Sequence, residues 1–211
     1  MQHSLKDAAA TLAAGGCVVY PTETYFALGA RAVDASALER IAAIKARPAS
    51  KPLPLLVGDT AHLAGILPDG FLDGPLAADF TALTERFWPG PLSLVIPCRE
   101  TLPRLVKDAQ GRVSVRFTPH PTAAALCRLV GGALVATSAN RSGQPPAAEP
   151  AELDPEVVAA ADALVTAGPL PAGGPASTVA DLLGGRRLRL FREGAVTSKR
   201  LQQAGYTIIP A

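Results

Sequence analysis

Short apolar runs of strand length alternate with helix-patterned stretches along this chain, and that alternation limits the fold more than any other feature. Ser4 and Asp7 stand where an N-cap and a first-turn acid belong; Leu5, Ala8, Ala9 and Leu12 follow helical spacing, and Gly15-Gly16 stops the helix. Residues 17–20 read as a buried strand that should leave the sheet at Pro21, which lacks a backbone donor. Asp34 or Ser36 caps a second helix with Leu38, Ile41 and Ile44 on one face, and Pro48 should end it near Arg47. Further strands are expected at 53–57, 92–97, 113–117, 133–137, 163–167, 177–182, 187–191 and 206–209. Further helices are expected at 60–67, 75–87, 102–107, 121–129, from Asp154 onward, and at 197–203. The class is therefore α/β. Gly184-Gly185 joins two strands as a hairpin, which argues a mixed sheet and not a purely parallel one.

With 211 residues, 48% hydrophobic and 18% charged, the chain suits one large globular domain, residues 1–211. A net charge of +2 is too small to argue a nucleic-acid binder from the whole chain. Its distribution is more informative. Lys45, Arg47 and Lys51 cluster without a nearby acid, as do Arg186, Arg187, Arg189 and Arg192. Each cluster suits either a focused anion site or a solvated face. Cys17, Cys98 and Cys127 lie far apart in apolar segments and read as buried free thiols. No signal-peptide pattern opens the chain, and no apolar run approaches the ~18 residues of a membrane span, so a cytoplasmic protein is expected.

Several chemistries are excluded by absent motifs. There is no Walker A loop, no dinucleotide-binding Gly-x-Gly-x-x-Gly and no Gly-x-Ser-x-Gly elbow. His3, His62 and His120 are scattered and the cysteines lack paired spacing, so no dedicated metal site is expected. What remains is a set of cations and hydroxyls at strand and helix ends: Thr22, Thr24, Lys45, Arg47, Lys51, Arg116, Ser138, Asn140, Ser177 and Arg192. Such a set suits phosphoryl or nucleotidyl transfer, which needs placement and charge neutralisation more than covalent help. Each member also has a plainer reading. Thr22, Ser138 and Asn140 are turn formers, and Lys45 and Arg47 would favour a helix C-terminus. Arg116 alternates with Val113, Val115 and Phe117 and should point to the opposite face of its strand.

Seven segments carry a resemblance. They are Tyr20-Pro-Thr-Glu-Thr-Tyr-Phe-Ala-Leu-Gly29, Lys45-Ala-Arg-Pro48 with Lys51-Pro-Leu53, Phe87-Trp-Pro-Gly-Pro-Leu92, Val113-Ser-Val-Arg116, Ser138-Ala-Asn-Arg-Ser-Gly143, Ser177-Thr-Val-Ala-Asp-Leu182 and Arg192-Glu-Gly-Ala-Val-Thr197. In this order they resemble the YrdC-like threonylcarbamoyl-AMP synthase family, in its short bacterial form without an extra C-terminal domain. The resemblance implies a twisted open mixed sheet flanked by helices, with a concave, positively charged cleft. It implies a nucleotidyltransferase that joins L-threonine, bicarbonate and ATP into threonylcarbamoyl-AMP and pyrophosphate, with Mg²⁺ on the triphosphate. Partner proteins of the threonylcarbamoyl-transfer machinery would then modify adenosine 37 of tRNA. Carried over by position, Thr24, Arg116, Ser177 and the backbone at Ala136 would hold threonine. Arg47, Lys51, Arg112, Ser138, Asn140 and Arg192 would hold ATP, and Lys45, Arg47, Ser138 and Asn140 would serve catalysis.

This sequence departs from the family pattern at several positions. Ala27 replaces a frequent Gly, Lys51 a frequent Asn, Leu56 a His that contacts substrate in some members, and Thr137 and Glu193 prolines. The Phe-Ala-Leu-Gly variant is similar to the YciO-like branch. A second reading is therefore a protein of the same fold that binds tRNA or double-stranded RNA through backbone cations, with little synthase activity. A hydrolase of a related carbamoyl compound lacks a nucleophile–base pair.

Overall fold

A computed structural model describes residues 2–48 and 50–209. The chain runs α1 (Leu5–Ala13), β1 (Val18–Pro21), β2 (Phe26–Gly29), α2 (Ala35–Ile44), β3 (Leu55–Val57), α3 (Ala77–Phe87), β4 (Leu92–Pro97), β5 (Arg112–Phe117) and α4 (Pro121–Leu129). It continues through β6 (Leu134–Val135), β7 (Thr137–Ser138), α5 (Pro155–Ala160), β8 (Ala163–Leu164), β9 (Thr178–Gly184), β10 (Arg187–Arg192), α6 (Ser198–Gln203) and β11 (Thr207–Ile209). Both sheets are mixed. The smaller has the order β7-β2-β1-β8, and the larger β11-β10-β9-β4-β5-β3-β6.

Local chemistry accounts for the element ends. Ser4 and Asp7 form a reciprocal capping box on α1. Asp34, Asp154 and Thr197 accept from backbone N–H groups at the starts of α2, α5 and α6. The two-residue turn Gly185-Arg186 has both φ values positive, at 59° and 54°, as the twist of a tight hairpin requires.

Three expectations need correction. The stretches expected as helices at 60–67 and 102–107 are 3-10 turns, Thr60–Gly65 and Arg104–Val106. Pro21 does not leave the sheet: it faces Phe26 across an antiparallel β1–β2 hairpin. The pairing tolerates it because Phe26 gives its N–H to Ala147 and its carbonyl to Ala139, so Pro21 is asked for no bond there. The strand expected at 133–137 is broken at Ala136. Its first half pairs with β3 in the large sheet, and its second half with β2 in the small one. The Ala136 N–H carries the β3 register on to the Pro54 carbonyl at 3.0 Å, and Pro54, lacking an N–H, returns no bond.

Period-2 alternation places the core on both faces of β1. Cys17 and Val19 pack with Phe26, Leu28 and the Ala37, Leu38 and Ile41 stripe of α2. Val18 and Tyr20 pack instead with Ala8 and Leu12 of α1 and Leu126 and Cys127 of α4. The Tyr20 hydroxyl donates to the Val135 carbonyl at 2.9 Å and ties the two sheets together. All three cysteines are free and buried, and burial pushes Cys17 up to about 11 and Cys127 up to about 12. Among the described residues, no helix is long and apolar enough to cross a membrane.

Thr178 fixes how β9 enters the sheet. Its fully buried hydroxyl donates to the Val196 carbonyl and accepts from the Gly194 and Val196 N–H groups. Thr178→Val keeps the shape and leaves those groups unpaired, so it should cost about 3 kcal/mol in chemical denaturation, whereas Thr178→Ser should cost far less.

Candidate active site

The register of the large sheet lays out the floor of a cleft. Ser93 of β4 lies beside Val179 of β9, Val179 beside Arg192 of β10, and Val95 between Asp181 and Ser114. These side chains share one face with Arg116 and Arg112, while Val113, Val115, Ala180 and Leu182 fill the core behind. Arg116 thus points away from the core, as the alternation predicts. The turn at 22–25, the segment after α2 and the chain around Ala136 and Ser138 complete a cavity of about 740 Å³, within the usual range for a small-molecule site.

Nine of the residues assigned from sequence line this cavity: Thr24, Arg47, Lys51, Arg112, Arg116, Ala136, Ser138, Ser177 and Arg192. Lys45 and Asn140 are not among its lining residues, and each side chain is turned onto backbone carbonyls instead. The α2 helix closes at Ile44, with Ala46 left-handed at φ 47°, Ala46 N–H on the Ala43 carbonyl and Arg47 N–H on the Ala42 carbonyl. This turn folds Lys45 inward to 2% exposure, where Nζ donates to the Ser138 and Asn140 carbonyls, and Ser142 N–H returns a bond to the Lys45 carbonyl. Lys45 is a clamp between α2 and the 138–142 loop, not an exposed cation at a helix end. Burial, and then neighbouring Arg47, push its ammonium down to about 8, so it carries charge at neutral pH. The chain turns sharply after β7, where Asn140 N–H bonds the Ser138 carbonyl. The Asn140 side-chain amide donates to Arg141 and Gln144 carbonyls and braces the loop.

The cations divide into two kinds. Arg112 is held by carboxylates, with Nε on Asp108 at 2.9 Å and Nη1 on buried Asp181 at 2.6 Å. Arg116, 8% exposed, pairs with Glu23, whose second oxygen accepts from the Thr118 hydroxyl at 2.8 Å. Burial pushes Arg116 down to about 10, still a cation at neutral pH. Arg47 and Arg192 instead bond backbone carbonyls. Arg47 donates to Lys51 and Pro52, and Arg192 donates twice to Ser177. These bonds aim the guanidinium groups without neutralising them. Lys51 is exposed and enters no ion pair among the described residues. The uncompensated charge therefore stands at Arg47, Lys51 and Arg192.

The hydroxyls divide similarly. Thr22 is buried and its hydroxyl is spent on the Tyr25 carbonyl at 2.7 Å, so it shapes the turn. Ser177 lies between Ser93 and Arg192, each at 3.2 Å from its hydroxyl. Leu56 is fully buried in the second apolar cluster and offers the cleft nothing. Sequence reasoning overlooked Ser93 and Ser114, which the alternation of β4 and β5 could have placed on the Arg116 face. It also overlooked Phe191, which no periodic pattern would have revealed.

Fixed cations and hydroxyls thus line one cleft on a mixed α/β scaffold, a geometry that suits a small anionic ligand. Residues 10–194 match the Sua5/YciO/YrdC family model, described as "Telomere recombination", and the chain belongs to that family. It is 40% identical over 161 residues to a threonylcarbamoyl-AMP synthase of Halorhodospira halophila, covering 76% of this chain and 81% of that one. It is 35% identical over 167 residues to the synthase of Stenotrophomonas maltophilia, covering 77% and 85%. Among solved structures, P. abyssi Sua5 complexed with L-threonine matches with a TM-score of 0.83 at 31% identity. That match covers 97% of this chain and 58% of the Sua5 chain, so the present chain spans under three-fifths of that protein. E. coli YciO shares the fold, with a TM-score of 0.73 at 24% identity over 90% of this chain and 89% of that one.

Proposed function

We propose that the chain is an L-threonylcarbamoyladenylate synthase, converting L-threonine, bicarbonate and ATP to threonylcarbamoyl-AMP and pyrophosphate. The observation that carries this reading is that one cavity is lined both by Arg116, Thr24, Ser177 and Ala136 and by the uncompensated cations Arg47, Lys51 and Arg192. The first group suits a small hydroxy amino acid, with Arg116 on its carboxylate. The second suits a triphosphate. Ser177 lies at the junction, in contact with Arg192.

In this reading the threonine ammonium and bicarbonate combine to a carbamate with loss of water and a proton. A carbamate oxygen then bonds the α-phosphorus as the bond to the bridging β-phosphate oxygen breaks and pyrophosphate leaves. Arg47, Lys51 and Arg192 neutralise charge gathering on the phosphates. Glu23 is committed to Arg116 and Thr118 and does not serve as a base. Mg²⁺ would arrive on the triphosphate: the one acid lining the cleft, Asp108, is held by Arg112, and no group of three or more metal-binding side chains occurs among the described residues. The product is a mixed anhydride, suited to transfer onto a tRNA adenosine by partner proteins.

Incubation with ATP, L-threonine and bicarbonate should release pyrophosphate and form a species of the adenylate's mass. Pyrophosphate release that does not need threonine and bicarbonate together would overturn the reading.

A further inference from the structure

Between Leu190 and Arg192 the β10 strand is irregular. Leu190 pairs with Ala180 and Arg192 with Val179, so Phe191 faces no residue on β9. In a regular strand Phe191 and Arg192 would point to opposite faces. The bulge brings both to the cleft, which both line. Phe191 is 50% exposed, and among the described residues it is the one aromatic in the group of large apolar side chains left in water. The others, Val33, Leu72, Leu129 and Leu170, lie outside the cleft. At the bulge the neighbouring floor residue on β9 is apolar, Val179, which also lines the cleft. One residue away, Arg192 is aimed by the Ser177 carbonyl.

An aromatic face, an apolar floor and an adjacent phosphate-directed guanidinium are the parts of a nucleotide site that grip the base. We infer that Phe191 is the platform on which the nucleobase of ATP stacks. The inference rests on the synthase reading only for the identity of the nucleotide. Stacking removes the exposed ring from water and fixes the nucleoside end. Arg192, next in the chain, then meets the phosphates, so one bulge sets two contacts.

The test is calorimetric binding of ATP and, separately, of L-threonine to the whole protein and to its Phe191→Ala and Phe191→Trp variants. A half-exposed position should tolerate both changes, which circular dichroism and melting temperature check. Phe191→Ala should weaken ATP about tenfold and leave threonine unchanged, and Phe191→Trp should restore or tighten ATP binding. Equal ATP affinity in wild type and Phe191→Ala would overturn the inference while leaving the synthase reading intact. So would a loss shared equally by ATP and threonine, or a failure of tryptophan to restore binding. A wild-type protein that binds no ATP would overturn the synthase reading and this inference with it.

Discussion

Replacing Arg116 by alanine is expected to lower kcat/KM for L-threonine by about 100-fold or more. A charge-assisted contact to a substrate carboxylate in a buried site is worth roughly 3 kcal/mol, which is about two decades in rate. The variant should also lose stability, because Glu23 would remain half-buried without its guanidinium partner. The two effects separate in a double-mutant cycle. Glu23→Gln combined with Arg116→Ala removes the stranded charge and should recover much of the denaturation midpoint. It should recover none of the threonine affinity. Recovery of activity along with stability would mean that Arg116 only holds the fold.

Lys45→Met should also nearly abolish turnover, by a different route. The clamp on the Ser138 and Asn140 carbonyls disappears, and the loop that carries Ser138 loses its tie to the end of α2. A displacement of about 1 Å there can cost about 100-fold in kcat. Lys45 does not line the cleft, so binding of ATP should suffer less than kcat. A rise in the ATP KM with kcat preserved would contradict the clamp. A pH signature accompanies this. The folded protein holds the Lys45 proton less tightly than an unfolded chain, about 8 against 10.5. From about pH 8 to about 10.5 the unfolded state therefore binds more protons at this residue, and stability rises with pH through it. Below about pH 8 both states are protonated and that contribution is gone. The stability of wild type relative to Lys45→Met should climb across that window in denaturation curves taken at successive pH values.

Where local chemistry decides, the fold could be read from residues alone. The Ser4 and Asp34 caps, the Pro121 start of α4 and the alternation in β4 and β5 need only near neighbours to be understood. Apart from the 3-10 turns and the local turn at Asn140, the misreadings share a cause: each depends on a partner far along the chain. Pro21 stays in a strand because Ala139 and Ala147 take the bonds of Phe26. The break at Ala136 is set by Pro54, and the inward fold of Lys45 by carbonyls some 90 residues away. The site shows the same division. The cations and hydroxyls were legible as a set, and the resemblance gave them roles. Which of them face the cleft and which brace it depended on the turns after α2 and β7. A lysine beside a helix end gives no sign, in sequence, of whether it serves a ligand or the backbone.

Ala136 has a consequence beyond topology. Its peptide is the step at which one strand passes from the large sheet to the small one, and it opens onto the cavity. A substrate seated against it would rivet two separately hydrogen-bonded halves together. Occupancy should then be felt well outside the cleft, as slower amide exchange in β2 and β3 alike, so that the filled protein behaves mechanically as a single slab.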